Sequence, residues 1–365
     1  MAISKIPSAG FQDNVKFRNI IINGDMSIAQ RGTSVSSISS GATYNTIDRM
    51  RFGVNSLGTW TQSQSTDVPT GQGFAKSFKL NCTTADASPG AGDYLFLNYN
   101  IEGQDLQYLK KGTANAESLT LSFWTKSNKT GTYTFELDDN DNNRSFSQTY
   151  TISSANTWEK KTITFAGDTT GSLDNDNNNS LRFYFWLGAG SNYTSGTLQT
   201  SWQSTTDANR VSSSNVNLAD STSNEWYITG VQLEAGTTAS DFEFLPHDVN
   251  RRRCERYYQD YGYTNGTVIT VGNSYNSSSA AAGFNFNSMR ASPTVTLPGT
   301  GQGTNNITFL KASANYPDSH GTIVTQYISN GNFRLSGSGF SGLSAENISW
   351  VFPSSEVHFL LDAEL

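Results

Sequence analysis

From Asn19 to about Phe244, apolar and polar residues alternate with a period of two in short runs separated by Gly, Asn, Asp and Ser clusters. That pattern predicts many half-buried strands in a sandwich or barrel. The runs fall at Ile20–Asn23, Asp48–Val54, Ala75–Cys82, Tyr94–Ile101, Ser118–Lys126, Gly131–Leu137, Ser145–Ile152, Lys161–Phe165, Leu181–Leu187 and Glu225–Glu234. Between them, Asp138–Asn143 and Asp174–Asn179 are Asn-rich loops, and Ser201–Ser223 is mostly small polar residues expected to bury nothing. One helix is predicted over His247–Tyr261, because Cys254, Tyr257, Tyr258 and Tyr261 fall at i, i+3, i+4 and i+7. Arg251–Arg253 load its other face. Beyond it, residues 263–365 return to strands and predict a smaller all-β domain. The chain therefore divides into an N-terminal segment (1–18), a large β-domain (19–246), a connecting helix (247–262) and a C-terminal β-domain (263–365).

Strand parity separates a core face from an outer face. Leu119, Leu121 and Phe123 take the core, so Trp124 points away from it. Leu181, Phe183, Phe185 and Leu187 do the same and leave Arg182, Tyr184 and Trp186 opposite, while Tyr133, Phe135 and Leu137 leave Glu136 outside. If these strands share a sheet, Trp124, Arg182, Tyr184, Trp186 and Glu136 form one aromatic and polar platform. Flat rings stack on sugar faces while polar neighbours take the hydroxyls, so the platform reads as a glycan site. The other reading is that the same face packs against a sheet, a loop or a subunit. The stripe of Tyr257, Tyr258 and Tyr261 is too apolar for water and predicts a subunit or domain contact.

Composition narrows the function. Only 15% of residues are charged and 12% are aromatic, so the uncharged polar surface goes with a folded chain rather than with disorder. The net charge of −7 argues against a nucleic-acid partner. Cys82 and Cys254 lie far apart and read as two buried thiols. Residues 1–12 lack the apolar core of a signal peptide, which places synthesis in a cytoplasm. Phe183–Leu187, the longest strongly apolar stretch, is far short of the roughly 20 residues that cross a bilayer, so no membrane insertion is expected.

Catalytic motifs are missing. His247, His320 and His358 are scattered, no H-E-x-x-H or G-x-S-x-G occurs, and the glycine-rich stretch 299–303 precedes a predicted strand rather than a helix. A pair of carboxylates remains open as a route to glycan cleavage. Asp139, Asp141 and Asn143, like Asp174, Asp176 and Asn178, have the alternate spacing that opens a calcium loop. Neither has the glycine at position six or the acid at position twelve, where Tyr150 and Phe185 stand, so a solvated turn is the competing reading.

Several stretches resemble fibre and receptor-binding proteins of tailed bacteriophages and the carbohydrate-binding-module jelly rolls they contain. These are Asn19-Ile-Ile-Ile-Asn-Gly-Asp-Met26 with Ser27-Ile-Ala-Gln-Arg-Gly32, Leu121-Ser-Phe-Trp124, Asn156-Thr-Trp-Glu-Lys160, Ile228-Thr-Gly-Val-Gln-Leu-Glu-Ala-Gly236, Cys254-Glu-Arg-Tyr-Tyr258 and the closing Asp362-Ala-Glu-Leu365. The resemblance implies a jelly-roll sandwich and a non-enzymatic, homotrimeric virion protein. It further implies docking on other tail or capsid proteins through residues 1–18 and binding of host surface polysaccharide. Structural calcium occurs near the Asn-Gly-Asp turn in some relatives, but Met26 replaces the acid often found there. A purely structural decoration fibre and a tailspike-like glycan-degrading enzyme are the rivals. The second would show the short repeats of a parallel β-helix, which the chain lacks.

Overall fold

The computed structural model describes residues 17–297, 307–311, 322–340, 343, 345, 348–353 and 356–365. The glycine-rich stretch 299–303, His320 and all of the expected attachment segment except residues 17 and 18 lie outside these residues. The chain forms two compact units, residues 1–251 with Leu365, and residues 252–364.

In the first unit the strands are β1 (Ser34–Thr43), β2 (Arg51–Ser65), β3 (Ser77–Thr84), β4 (Tyr94–Glu102), β5 (Leu119–Ser127) and β6 (Gly131–Asp139). They continue with β7 (Arg144–Ile152), β8 (Glu159–Phe165), β9 (Asn179–Ala189), β10 (Gln203–Ser204) and β11 (Glu225–Ala235). They join one antiparallel sheet in the order β10-β7-β6-β9-β4-β2-β3-β11-β5-β8, with β1 added on β2. The sheet rolls over on itself into a sandwich of the expected jelly-roll kind. Phe123 of β5 meets Tyr150 of β7 and Phe185 of β9 across the interior, with ring centroids 5.1 and 4.9 Å apart. Phe52, Phe78, Leu97, Phe135 and Trp226 line the same space and are fully buried.

Two local expectations are corrected, and one strand is added to those expected. Ile20–Asn23 is a buried turn, not a strand. The Asn19 side chain holds it by donating to the Val231 carbonyl (3.0 Å) and accepting from the amides of Ile21 (3.0 Å) and Leu233 (3.1 Å). Ser34–Thr43, whose Ser-rich sequence carries no clear alternation, pairs with β2 as a full strand. Residues 201–223 do bury side chains: Val211, Leu218 and Ala219 have no exposed surface.

The second unit is a smaller β-sandwich. Its strands are β12 (Tyr258–Tyr263), β13 (Thr270–Ser274), β14 (Ser279–Asn285), β15 (Thr294–Thr296), β16 (Ile307–Lys311), β17 (Thr322–Gln326), β18 (Asn332–Ser338), β19 (Ile348–Pro353) and β20 (Val357–Asp362). A three-stranded sheet, β12-β20-β15, packs on a six-stranded one, β16-β19-β13-β14-β18-β17, around Phe284, Phe309, Leu335, Val351 and Phe359.

The predicted helix is shorter than its tyrosine stripe. It spans His247–Glu255, and the chain then turns, with the Tyr257 amide donating to the Cys254 carbonyl at 2.9 Å. Tyr258–Tyr263 instead pairs with Val357–Asp362, because a Tyr-rich alternating stretch suits a pleated surface and a strand partner is at hand. Tyr257 and Tyr258 are buried within the chain (1% and 5% exposed). Tyr261 sets its ring edge-on to Phe284 at 5.4 Å. No helical face of tyrosines is left over for a second subunit to cover.

Candidate functional site

The outer face of β2, β4, β9 and β6 gathers four of the five platform residues. Strand register aligns Arg51, Asn98, Tyr184 and Glu136 in one row and Gly53, Phe96, Trp186 and Thr134 in the next. Asn100, Arg182 and Asp138 form a third row. Tyr184 and Trp186 lie 5.6 Å apart and nearly parallel, and Phe96 meets both edge-on. Gly53 makes room for Phe96, since a Cβ there would sit 2.3 Å from its ring.

The chain itself covers this layer. Tyr193 and Val211 close over it, leaving Trp186 1% and Glu136 0% exposed. The Arg210 guanidinium lies over the rings of Tyr184 (5.1 Å) and Trp186 (5.2 Å). It also donates to both oxygens of Glu136, at 2.8 and 3.1 Å. Trp186 Nε1 adds a third bond to that carboxylate at 2.8 Å, and Arg182 Nε donates to Asp138 at 2.6 Å. Burial pushes the Glu136 carboxyl above its ordinary range against the pull of Arg210. Every strong donor here already has a protein partner, which is the packing arrangement rather than an open platform.

Trp124 is on the other side of the roll. Its neighbour Phe123 points inward at Phe185, so Trp124 faces out between Lys160 of β8 and Thr229 of β11. Beside it Lys79, Tyr227, Lys126 and Trp158 alternate across the strands, with Lys126 Nζ 4.4 Å from the Tyr227 ring and 5.6 Å from that of Trp158. Asp67 pairs with Lys126 and accepts from Trp158 Nε1, while Glu225 pairs with Lys79 at 2.7 Å. Burial would raise both carboxyls, but these partners hold them below the usual carboxylate range. The ladder keeps its ring faces occupied by its own lysines.

The Asn-rich loops use their acids to hold one another. Asp139 is fully buried, pairs with Lys111, and accepts from the amides of Asp141 and Asn142 at 3.1 Å each. Asp141 accepts from the Asp174 amide at 2.9 Å, joining the two loops. Asn143 takes a left-handed turn conformation (φ 51°). A lysine ammonium thus stands at Asp139, where a calcium ion would need the carboxylate. Among the described residues no three His, Cys, Asp or Glu side chains are grouped to hold a metal.

An open surface that parity reasoning passed over lies on the second unit. The outward side chains of the six-stranded sheet line up as Trp350, Val271, Gly283, Arg334 and Gln326, one from each of β19, β13, β14, β18 and β17. Gly283 leaves a trough, since a Cβ there would meet nothing within 4 Å. The groove encloses about 500 Å³ and is edged by Tyr275, Tyr327, Asn273, Asn285 and Asn332. Tyr275 is 52% and Tyr327 76% exposed. Arg334 lies 5.4 and 5.7 Å from their ring centroids and donates to the Tyr275 hydroxyl at 2.6 Å. Tyr327 projects its ring from a left-handed backbone (φ 52°), a conformation that costs a non-glycine residue about 1 kcal/mol or more.

No protein-family model matches the chain, and no curated protein is similar to it. Solved structures similar to it include the enzymatically active domain of tailspike protein 4 of bacteriophage CBA120, at 16% identity and TM-score 0.31, covering 60% of this chain and 21% of that one. The chain thus spans about a fifth of that tailspike domain. A sugar-binding protein assigned in Bacteroides thetaiotaomicron is 11% identical at TM-score 0.33, covering 60% of this chain and 100% of that one. A family 11 carbohydrate-binding module of Clostridium thermocellum is 13% identical at TM-score 0.27, covering 55% and 99%.

Proposed function

We propose that the protein is a non-enzymatic, homotrimeric fibre protein of a phage virion that binds bacterial surface polysaccharide through the groove of its second unit. The observation that carries the glycan reading is the pair of exposed tyrosine rings, Tyr275 and Tyr327, beside the amides of Asn273, Asn285 and Asn332. Rings of this kind stack on the apolar faces of sugars, and amides satisfy hydroxyl groups in pairs. The virion origin rests on the motifs around residues 19–32 and 228–236, with residues 1–18 serving attachment to another tail or capsid protein.

Titration with host surface polysaccharide tests the reading. Tyr327→Ala should weaken binding by about 1 to 3 kcal/mol, as loss of an interface anchor does. Trp186→Ala and Trp124→Ala should leave affinity unchanged in whatever fraction folds. Undiminished binding in Tyr327→Ala would remove the groove from the reading. The same mixtures should release no new reducing ends, and steady release would favour the tailspike-like enzyme instead. Sedimentation at micromolar concentration should give the mass of three chains, and a monomer would discard the trimer.

A further inference from the structure

We infer that the groove on the second unit selects acidic glycans, with Arg334 as the residue that takes a sugar carboxylate. The inference rests on the glycan-binding reading and adds the substrate class. Arg334 is the basic side chain of the groove, and among the described residues no carboxylate pairs with it. One of its five N–H donors goes to the Tyr275 hydroxyl and its Nε is buried, so the remaining N–H groups of the two terminal nitrogens are the donors left for a ligand. The two tyrosine rings hold the guanidinium plane in place. A planar, pre-oriented guanidinium recognises a carboxylate with two parallel bonds, which a hydroxyl cannot reproduce.

The spacing fits one ring of a polymer. Val271 and Arg334 stand on either side of β14, two strand steps or about 10 Å apart, with Gly283 between them. A pyranose ring resting on that glycine backbone would carry its carboxylate to Arg334 and expose its other edge to Val271 and Trp350. The net charge of −7 disfavours general adsorption of anions, so any preference for acidic chains must come from this local cation.

Uronic-acid polymers and their carboxyl-reduced forms share a backbone and differ only in charge, which makes them the probes. Polygalacturonate, alginate and hyaluronan, each beside its reduced counterpart, would be titrated into the full-length protein. At least one acidic polymer should bind about tenfold or more tightly than its neutral twin, the size expected of one charge-assisted pair. Arg334→Gln should remove that difference, and Arg334→Lys should restore part of it. Gly283→Val, whose side chain enters open space, should abolish binding to both forms without shifting the melting temperature. Equal binding of acidic and neutral twins overturns the carboxylate preference and leaves the glycan reading standing. Absence of binding to every polymer overturns both. A change of oligomeric state in Gly283→Val would instead make the groove a contact between copies and end the proposal.

Discussion

Arg210 shows how one side chain decides what a surface can do. Its guanidinium covers two aromatic faces and neutralises a carboxylate that has no contact with water. Removing it leaves Glu136 charged and uncompensated, so Arg210→Ala should cost about 3 to 5 kcal/mol in chemical denaturation. Glu136→Gln in the same background should recover part of the loss. Trp186→Ala should cost a similar 3 to 5 kcal/mol, from the lost burial and the cavity. A loss under 1 kcal/mol for Trp186→Ala would mean that the ring is not packed as described. Parity located Tyr184, Trp186 and Glu136 on a common face, because side-chain alternation is local. What covers them was not legible, since Arg210 and Val211 lie in a Ser- and Asn-rich stretch with no periodic signal. Trp350 was hidden for the opposite reason: Ile348, Trp350 and Phe352 alternate with Val351 and Pro353, so both faces of that strand read as apolar.

Among the elements, strands β4 to β9 were legible nearly residue for residue, because each buries one clean apolar face. The helix was not, because a stripe at i, i+3, i+4 and i+7 also fits a turn followed by a strand, and pairing with β20 decides the matter. That pairing brings His358 of β20 to Asp260 of β12, with Nδ1 and Oδ1 2.6 Å apart. The bond to Asp260 raises the His358 pKa above its ordinary value of 6.5. A raised histidine stabilises the fold fully below its unfolded pKa and loses that contribution as the pH climbs through the folded value. The second unit should therefore melt lower at about pH 9 than at about pH 6, and His358→Gln should flatten the dependence. A melting temperature that rises over this interval would contradict the pairing. Asp168 works in the other direction in the first unit. Burial would raise its carboxyl, but Arg144 and Lys111 hold it low, so its contribution fades only as acid brings the pH below the ordinary value of 3.8.

Among the described residues, each of the two compact units has a hydrophobic core of its own. Calorimetry should resolve two transitions, of which only the one that shifts with His358→Gln belongs to residues 252–364. A single transition, unchanged in position by that variant, would show that the units unfold together. Sequence periodicity reveals that there are two β-rich regions, and it fixes the inward residues of most strands. It does not reveal which outer face stays open, because that depends on contacts far apart along the chain.

The two cysteines divide between these units. Cys82 lies in the first unit at 1% exposure and Cys254 in the second at 0%. Burial raises the Cys82 thiol to about 11, so little thiolate exists at neutral pH even where a reagent could enter. Cys82 bonds to Thr84 and Ala219 of its own unit, so its sulfur is exposed when that unit opens. The speed at which Cys82 is alkylated becomes a clock for the first unit, read by a peptide map after brief alkylation. In samples too dilute or too mixed for calorimetry, the same chemistry would still report when the first unit loosens.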